Sequence, residues 1–430
     1  MTLIPRIAER RCRPGVLLWL LAAGCSTLTD VGAPDVVQLG ALGNAAGAEA
    51  LRVGSIGGFA LVFAGAEQGQ ITTSGSMADE FFNAATGIIA LGVADIRVVP
   101  EPSTSYPYLA VQRSRLDARR AIAALQQYVP AGRARVGELF ALAAYTELFL
   151  GENMCSGIPL GEIVNGQLAF GQPVSTDELL GRAQADFDSA LVYAVDSARI
   201  SNLARVGRGR ALLDRGQFAG AAAAVAGVPT SYAYVLQYSA TQQNGVFNIL
   251  NTAKWITVAD REGGNGLDFR SAQDPRVPTA LVGKGVDGFT DVYGYTRYAS
   301  VSSPIVLASG VEARLIEAEA LLRGGDAAGA LQTLNALRAT TPGLSPLALA
   351  PTDAARVDQL FRERAFWLFA TGHRHGDLRR LVRQFGRTPA SVFPSGAYKS
   401  GQVYGDDVTF APDVAQLDNT NYTGCASRGA

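Results

Sequence analysis

The sequence predicts a mainly α protein, a scaffold of repeated helix pairs that carries two long, loop-rich insertions. Two similar stretches, residues 211–221 and 320–330, each contain a helix, a tight glycine turn and the start of a second, alanine-rich helix. A late stretch, residues 361–385, has apolar residues at helical spacing on both sides of a glycine. Two segments, 66–107 and 230–305, interrupt this pattern with Gly, Ser, Thr, Pro and aromatic residues, which places them as insertions on a helical frame.

The N-terminus predicts export. Residues 1–24 have the features of a signal peptide, with four arginines between positions 6 and 13 followed by the apolar run 16–21. That run is too short to span a bilayer as a mature helix. The sequence Leu-Ala-Ala-Gly-Cys, which ends at Cys25, resembles a bacterial lipoprotein box. The resemblance implies cleavage before Cys25 and lipidation of this residue; the alternative is an ordinary secreted protein cut after a similar site.

Charge and motifs exclude several classes of function for the mature chain, residues 25–430. Over the whole sequence the 37 basic and 38 acidic side chains nearly balance, so nothing in the charge indicates nucleic acid. A phosphate-binding loop, a nucleophile elbow and an H-E-x-x-H helix are all missing from the sequence. The acidic pairs Asp79-Glu80 and Asp406-Asp407 consist of adjacent residues, whose side chains point apart. We therefore predict no enzyme and no cofactor.

The cysteines agree with export. Cys12 is lost with the signal peptide and Cys25 is the lipidation site, so Cys155 and Cys425 remain in the mature chain. A pair of cysteines in an oxidising compartment predicts a disulfide, with two free buried thiols as the alternative.

The repeat resembles the helix-turn-helix unit of tetratricopeptide repeats, in which small residues let paired helices pack closely. Thr176 or Ser175, followed by two acids, is a good start for another helix. Predicted helices lie near residues 35–65, 108–128, 133–150, 175–197, 311–323, 327–338, 353–371 and 376–385. By themselves, the repeats indicate a scaffold and no particular ligand.

The late stretch resembles the signature of the RagB/SusD family, E-R-x-x-E-F-x-x-E-G-x-R-x-x-D-L-x-R. The matching residues are Glu363, Arg364, Phe369, Gly372, Arg374, Asp377, Leu378 and Arg380. Thr371 stands where the family has an acid, so one ion pair of the family is not expected here. His373 and His375 could be interpreted as a metal site, but the chain has no further histidine and no nearby cysteine, so we predict no metal.

The resemblance implies a SusD-like variant of the tetratricopeptide-like scaffold, spanning residues 25–430. It also implies a surface lipoprotein of the outer membrane that binds an oligosaccharide or peptide nutrient. The implied partner is a TonB-dependent outer-membrane transporter of the SusC-like kind. A tetratricopeptide-type lipoprotein that binds protein partners in outer-membrane assembly is the alternative, and a surface-anchored glycan-cleaving enzyme is a third possibility.

The insertions at 66–107 and 230–305 are the predicted ligand surface, because binding residues concentrate on irregular segments held by a rigid frame. Flat aromatic rings suit the apolar faces of sugars, and polar neighbours can bond sugar hydroxyls. The predicted stacking residues are Trp255, Tyr293, Tyr295 and Tyr298, and the predicted polar partners are Asp79 and Arg297. The alternative is that these aromatic residues form a small core beneath the loops.

Overall fold

The computed structural model describes residues 43–65, 68–86, 89–164, 167–413 and 419–430. The predicted signal peptide and Cys25 lie outside these residues. The helices are α1 (Ala45–Ala60), α2 (Gln70–Met77), α3 (Ile89–Ile96), α4 (Tyr108–Tyr128), α5 (Arg133–Asn153), α6 (Thr176–Tyr193), α7 (Ala198–Asp214), α8 (Phe218–Val225), α9 (Gly245–Phe247), α10 (Gly310–Arg323), α11 (Ala327–Arg338), α12 (Asp353–Trp367), α13 (Arg374–Phe385) and α14 (Pro389–Val392). Short π-helical segments continue α1 (Leu61–Gly65) and α9 (Asn248–Ala253).

The strands are short and pair in antiparallel twos. They are β1 (Phe81–Asn83), β2 (Ile158–Val164), β3 (Gln167–Val174), β4 (Ala233–Leu236), β5 (Ile256–Val258), β6 (Thr279–Lys284), β7 (Asp291–Tyr295) and β8 (Ile305–Ser309). The pairs are β1–β5, β2–β3, β4–β8 and β6–β7. The mainly α prediction is therefore confirmed, and five of the eight strands lie within the predicted insertion 230–305 or at its end.

The predicted repeat forms two similar helix pairs. α7 turns into α8 through Gly216, and α10 turns into α11 through Gly325. Both glycines have positive φ, 72° and 88°, a conformation that side chains with a Cβ rarely adopt. α10 packs against both α7 and α8, so the two pairs stack on each other and bury their small residues between them.

The start of α6 shows how the sequence sets a helix boundary. The Ser175 hydroxyl accepts a hydrogen bond from the backbone N–H of Glu178 at 3.2 Å, and the Glu178 carboxylate accepts one from the backbone N–H of Ser175 at 2.7 Å. Two backbone donors at the helix end are satisfied in this reciprocal way.

The main core joins α1 to the repeat helices. Phe63 stacks between Phe59 and Phe149, with ring centroids 6.2 Å and 5.6 Å away. Within the described residues, one stretch, Ala45–Met77, is long and apolar enough to cross a membrane by length and composition alone. Its phenylalanines are buried against α5, and core helices of proteins with no membrane span have the same composition.

The segment 66–107 differs from its prediction, because much of its described part is helical and buried. Every residue of α2 is buried, although the helix contains glutamine, threonines and serines. Its small hydroxyl groups can bond the helix backbone: Ser74 donates to the carbonyl of Gln70 at 2.7 Å, and Thr72 to that of Gly69 at 3.2 Å. A composition typical of loops can therefore be buried as a helix.

Three matched residues of the late signature, Arg364, Asp377 and Arg380, form a buried ion-pair network that joins α12, α13 and α10. Arg364 donates to both oxygens of Asp377 at 2.8 Å, and Arg380 donates to Asp377 at 2.9 Å and to the carboxylate of Glu319. Burial acts to raise the pKa of Asp377, but the guanidiniums of Arg364 and Arg380 outweigh it and hold the pKa well below its usual range. These ion pairs of the signature therefore hold α10, α12 and α13 together.

The two histidines are part of the same buried region. His373 lies 3.0 Å from Glu312 and 2.8 Å from Arg210, and the Thr371 hydroxyl lies 2.7 Å from its other ring nitrogen. Thr371, which stands in place of the family's acid, therefore makes a hydrogen bond to His373. Burial lowers the pKa of His375 to about 3.

The structure contains the predicted disulfide between Cys155 and Cys425. Cys155 directly follows α5 and is buried, and its backbone N–H donates to the carbonyl of Phe410. The backbone N–H of Cys425 donates to Glu101 at 2.6 Å. The disulfide therefore ties the C-terminal segment to the end of α5.

Candidate functional site

A cavity of about 380 Å³ opens between the loop that joins β7 to β8, the start of α10 and the end of α12. We call it the aromatic cavity, after the residues that line it. They include Tyr295, Arg297, Tyr298, Trp367 and Phe369. Its volume lies within the range of pockets that bind small ligands.

The aromatic walls of the cavity pack against each other and against the main core. Tyr295 packs edge-on against Tyr298 and Phe369, with ring centroids 5.3 Å and 5.1 Å away. Tyr295 and Tyr298 are 3% and 8% exposed, so both also belong to the main core. Burial raises the pKa of Tyr295 to about 12 and that of Tyr298 well above its usual value, so both hydroxyls stay protonated at neutral pH.

The cavity offers hydrogen-bond donors that have no acceptor in the part of the chain that the structure describes. The indole Nε1–H of Trp367 is buried and has no hydrogen-bond partner among the described residues. Arg297 at the rim is exposed, forms no ion pair with a described residue, and donates only a 3.4 Å bond to the carbonyl of Arg276. A ligand with oxygen acceptors would satisfy these groups.

Local backbone geometry brings the end of α12 to this cavity. α12 ends at Trp367, and Ala370 and Gly372 then adopt positive φ values of 55° and 74°. The backbone N–H of Ala370 donates to the Glu80 carboxyl at 3.0 Å. Burial raises the pKa of Glu80 to about 8, so this carboxyl is mostly neutral at pH 7. A buried contact from α2 and β1 therefore holds the turn that positions Trp367.

The structure brings together three of the predicted site residues, Tyr295, Arg297 and Tyr298. Tyr293 and Trp255 do not line the aromatic cavity. Tyr293 is half-buried beneath the guanidinium of Arg270, 4.4 Å from its ring centroid, and Trp255 is half-buried against the main core.

The buried position of Asp79 contradicts the prediction that this residue is a polar partner of the ligand. Its side chain is 1% exposed, and both oxygens accept hydrogen bonds from Arg374, at 2.5 Å and 2.8 Å. A ligand could reach this carboxylate only by breaking a buried ion pair, which costs several kcal/mol. Asp79 therefore holds α13 in place and is not part of the ligand surface.

Sequence reasoning missed Trp367. Trp367 lies in the late signature, next to the predicted buried stripe of Phe361, Ala365, Leu368 and Phe369, and the sequence pattern gave it no separate role. Trp367 lies outside that stripe and is half-buried, with Arg276 5.1 Å above its ring. An aromatic residue off the buried stripe at the end of a helix was the signal that could have identified it.

No protein-family model matches the sequence, and no curated protein matches it either. Solved structures do match the fold. A SusD superfamily protein from Parabacteroides distasonis superimposes with a TM-score of 0.66 at 13% identity, over 88% of this chain and 98% of that one. A SusD/RagB family protein from Bacteroides thetaiotaomicron gives 0.62 at 14% identity, over 87% and 94%. A laminarin-binding SusD-like protein gives 0.58 at 14% identity, over 89% and 99%. The chain is thus similar in fold to the SusD/RagB proteins, and identities this low show the fold alone.

Proposed function

We propose that this chain is a SusD/RagB-type lipoprotein of the outer membrane, which binds a nutrient glycan at the cell surface and delivers it to a TonB-dependent transporter. The fold supports the family. One structure of similar fold is a SusD-like carbohydrate binding protein from Bacteroides vulgatus, and another is described as laminarin-binding. The late signature and the lipoprotein box are the sequence features that agree with this assignment.

The aromatic cavity is the observation that carries the proposal for binding. Its rings present apolar surface, and Trp367 and Arg297 offer donors to the oxygens of a sugar. None of the described residues that line it is Asp, Glu or His. Glycoside hydrolysis needs a pair of carboxyl groups, so this lining supports binding and not cleavage.

Replacing Trp367 should weaken glycan binding. We expect the soluble body, residues 26–430, to bind an oligosaccharide on an array of glycans and peptides. Trp367→Ala should weaken that binding about tenfold, since an aromatic contact contributes about 1–1.5 kcal/mol beyond area burial. Trp367→Phe, which keeps most of the packing but lacks the N–H, should have an intermediate effect. Isothermal calorimetry measures each affinity.

Phe289→Ala is the control, because Phe289 is an aromatic residue of the insertion 230–305 that is 55% exposed and does not line the cavity. It should bind like the unaltered protein. Loss of binding in Phe289→Ala with full binding in Trp367→Ala would place the ligand elsewhere. An array on which no ligand binds, together with copurification from native membranes with assembly proteins and no transporter, would favour the assembly-scaffold alternative.

The lipid anchor gives a separate prediction. Cys25→Ala should carry no acyl label and should leave the membrane fraction, because the acylated residue is gone. Cys12→Ala is the control: it changes a cysteine inside the predicted signal peptide and should leave labelling intact. Metabolic labelling with a fatty acid and membrane fractionation test both. A Cys25→Ala protein that stays labelled in the outer membrane would contradict the anchor.

A further inference from the structure

A groove runs along α4, on its side towards the β2–β3 hairpin. It consists of two adjoining cavities of about 360 Å³ and about 500 Å³, and Leu116 of α4 lines both. We call it the α4 groove. No residue of the aromatic cavity lines it.

One half of the α4 groove is apolar and open to solvent. Phe170 of β3 is 53% exposed there, and Leu109 of α4 is 42% exposed. Arg113, Asp117 and Arg120 of α4 line the same half and supply charged groups. Two large apolar side chains that share one exposed cleft, with polar groups around them, are typical of a binding surface.

The other half is charged but balanced. It is lined by three arginines and three carboxylates: Arg115, Arg119, Arg182, Glu147, Glu162 and Asp186. These groups pair with one another, as Arg119 does with Asp186 and Arg115 with Glu147, 3.6 Å apart. Because these charges pair with one another, this half favours a neutral ligand that can both donate and accept hydrogen bonds.

Three residues that line the groove have buried polar atoms without a hydrogen-bond partner among the described residues: Gln112 Oε1, Arg115 Nε and Glu147 Oε2. The amide of Gln112 cannot simply be reversed. Its Nε2 donates to the carbonyl of Pro159 at 2.9 Å, and a carbonyl can only accept, so Oε1 remains the unpartnered acceptor. Gln112 is 6% exposed, so leaving Oε1 unpaired is costly.

We propose that the α4 groove is a second binding site for a neutral oligosaccharide, with one sugar ring packed on Phe170 and the next rings extending into the charged half. Sugar hydroxyl groups suit the paired charges that line the groove, because each hydroxyl can both donate to a carboxylate and accept from a guanidinium. The choice of a sugar rests on the proposed function.

Calorimetric stoichiometry with maltohexaose and laminarihexaose tests the inference on residues 26–430. With at least one of these sugars, the unaltered protein should bind two molecules per chain. Phe170→Ala should leave one, or weaken the second binding event at least tenfold, because the stacking surface is removed. Leu281→Ala is the control, since Leu281 is an apolar residue that is 57% exposed on β6, away from the groove, and both binding events should persist.

The other outcomes of these titrations distinguish the α4 groove from the aromatic cavity and from the proposed function. Binding that Phe170→Ala leaves unchanged, with either one or two molecules per chain, overturns the second site and leaves the proposed function standing. One bound molecule that is lost in Phe170→Ala and kept in Trp367→Ala supports the α4 groove and overturns the aromatic cavity. If neither sugar binds the unaltered protein, the second site is overturned, and the glycan and peptide array alone decides the proposed function.

Discussion

Asp377→Asn is expected to lower the free energy of unfolding by about 3–5 kcal/mol, because it leaves two buried guanidiniums without their shared carboxylate. In the folded protein Asp377 is buried and accepts hydrogen bonds from Arg364 and Arg380. Arg380 would keep Glu319 and Asp214 as partners, but Arg364 would keep only Glu319, 3.7 Å away. Urea unfolding at pH 7, followed by circular dichroism, measures the change.

Asp358→Asn is the matched control, since Asp358 is on the same helix, α12, as Arg364 and pairs with Arg387 at 2.6 Å. Its side chain is 63% exposed, and exposed pairs contribute at most about 1 kcal/mol. If the buried ion pairs of the late signature hold the helices together, Asp377→Asn should lower the free energy of unfolding much more than Asp358→Asn does. Similar losses in both would contradict it.

The loss of unfolding free energy caused by Asp377→Asn should depend on pH. The pKa of Asp377 is lowered in the folded state, so its stabilisation is complete above the pKa of unfolded aspartate, about 3.9, and is lost as the pH falls below that value. The difference in unfolding free energy between the unaltered protein and Asp377→Asn should therefore be constant from pH 5 to 7 and should shrink at lower pH.

Removing the disulfide is the second change with a large expected effect. Cys155 and Cys425 are 270 residues apart, and a cross-link over that span stabilises by about 5 kcal/mol in the chain-entropy model. The variant Cys155→Ala/Cys425→Ala should therefore unfold at a markedly lower urea concentration. The unaltered protein, treated with a reducing agent, should approach the same midpoint.

Mass mapping without reduction tests the bond itself in the exported protein. A peptide that joins Cys155 to Cys425 is the expected result. Two thiols that react with an alkylating agent before any reduction would contradict the disulfide and, with it, the predicted loss of stability.

The helix pairs could be predicted from the sequence because their determinants are local. The glycines at 216 and 325 fix the turns, and alanine and leucine at helical spacing fix the packed faces. The signature residues were recognisable for a similar reason, since Arg364 and Asp377 lie on consecutive helices whose turn brings them together.

The composition of the candidate site could be predicted only in part, because it depends on contacts between distant segments. Asp79 looked available from its position in a polar segment, but Arg374, 295 residues away, takes both of its oxygens. Trp367 was overlooked because its unpartnered N–H arises only where the end of α12 meets the loop after β7. Periodicity identifies which residues a helix buries, and it does not reveal which other segment comes to lie beside them.

The fluorescence of Trp367 tests the central claim most directly. The sequence has three tryptophans, and Trp19 lies in the predicted signal peptide, so Trp255→Phe in residues 26–430 leaves Trp367 as the only one. Titration with the oligosaccharide that binds best on the array should shift its emission to shorter wavelength, with a midpoint equal to the calorimetric dissociation constant, because the sugar displaces water from the aromatic cavity. Unchanged emission while calorimetry reports saturated binding, or an array on which no oligosaccharide binds, would contradict the claim that this cavity captures a glycan.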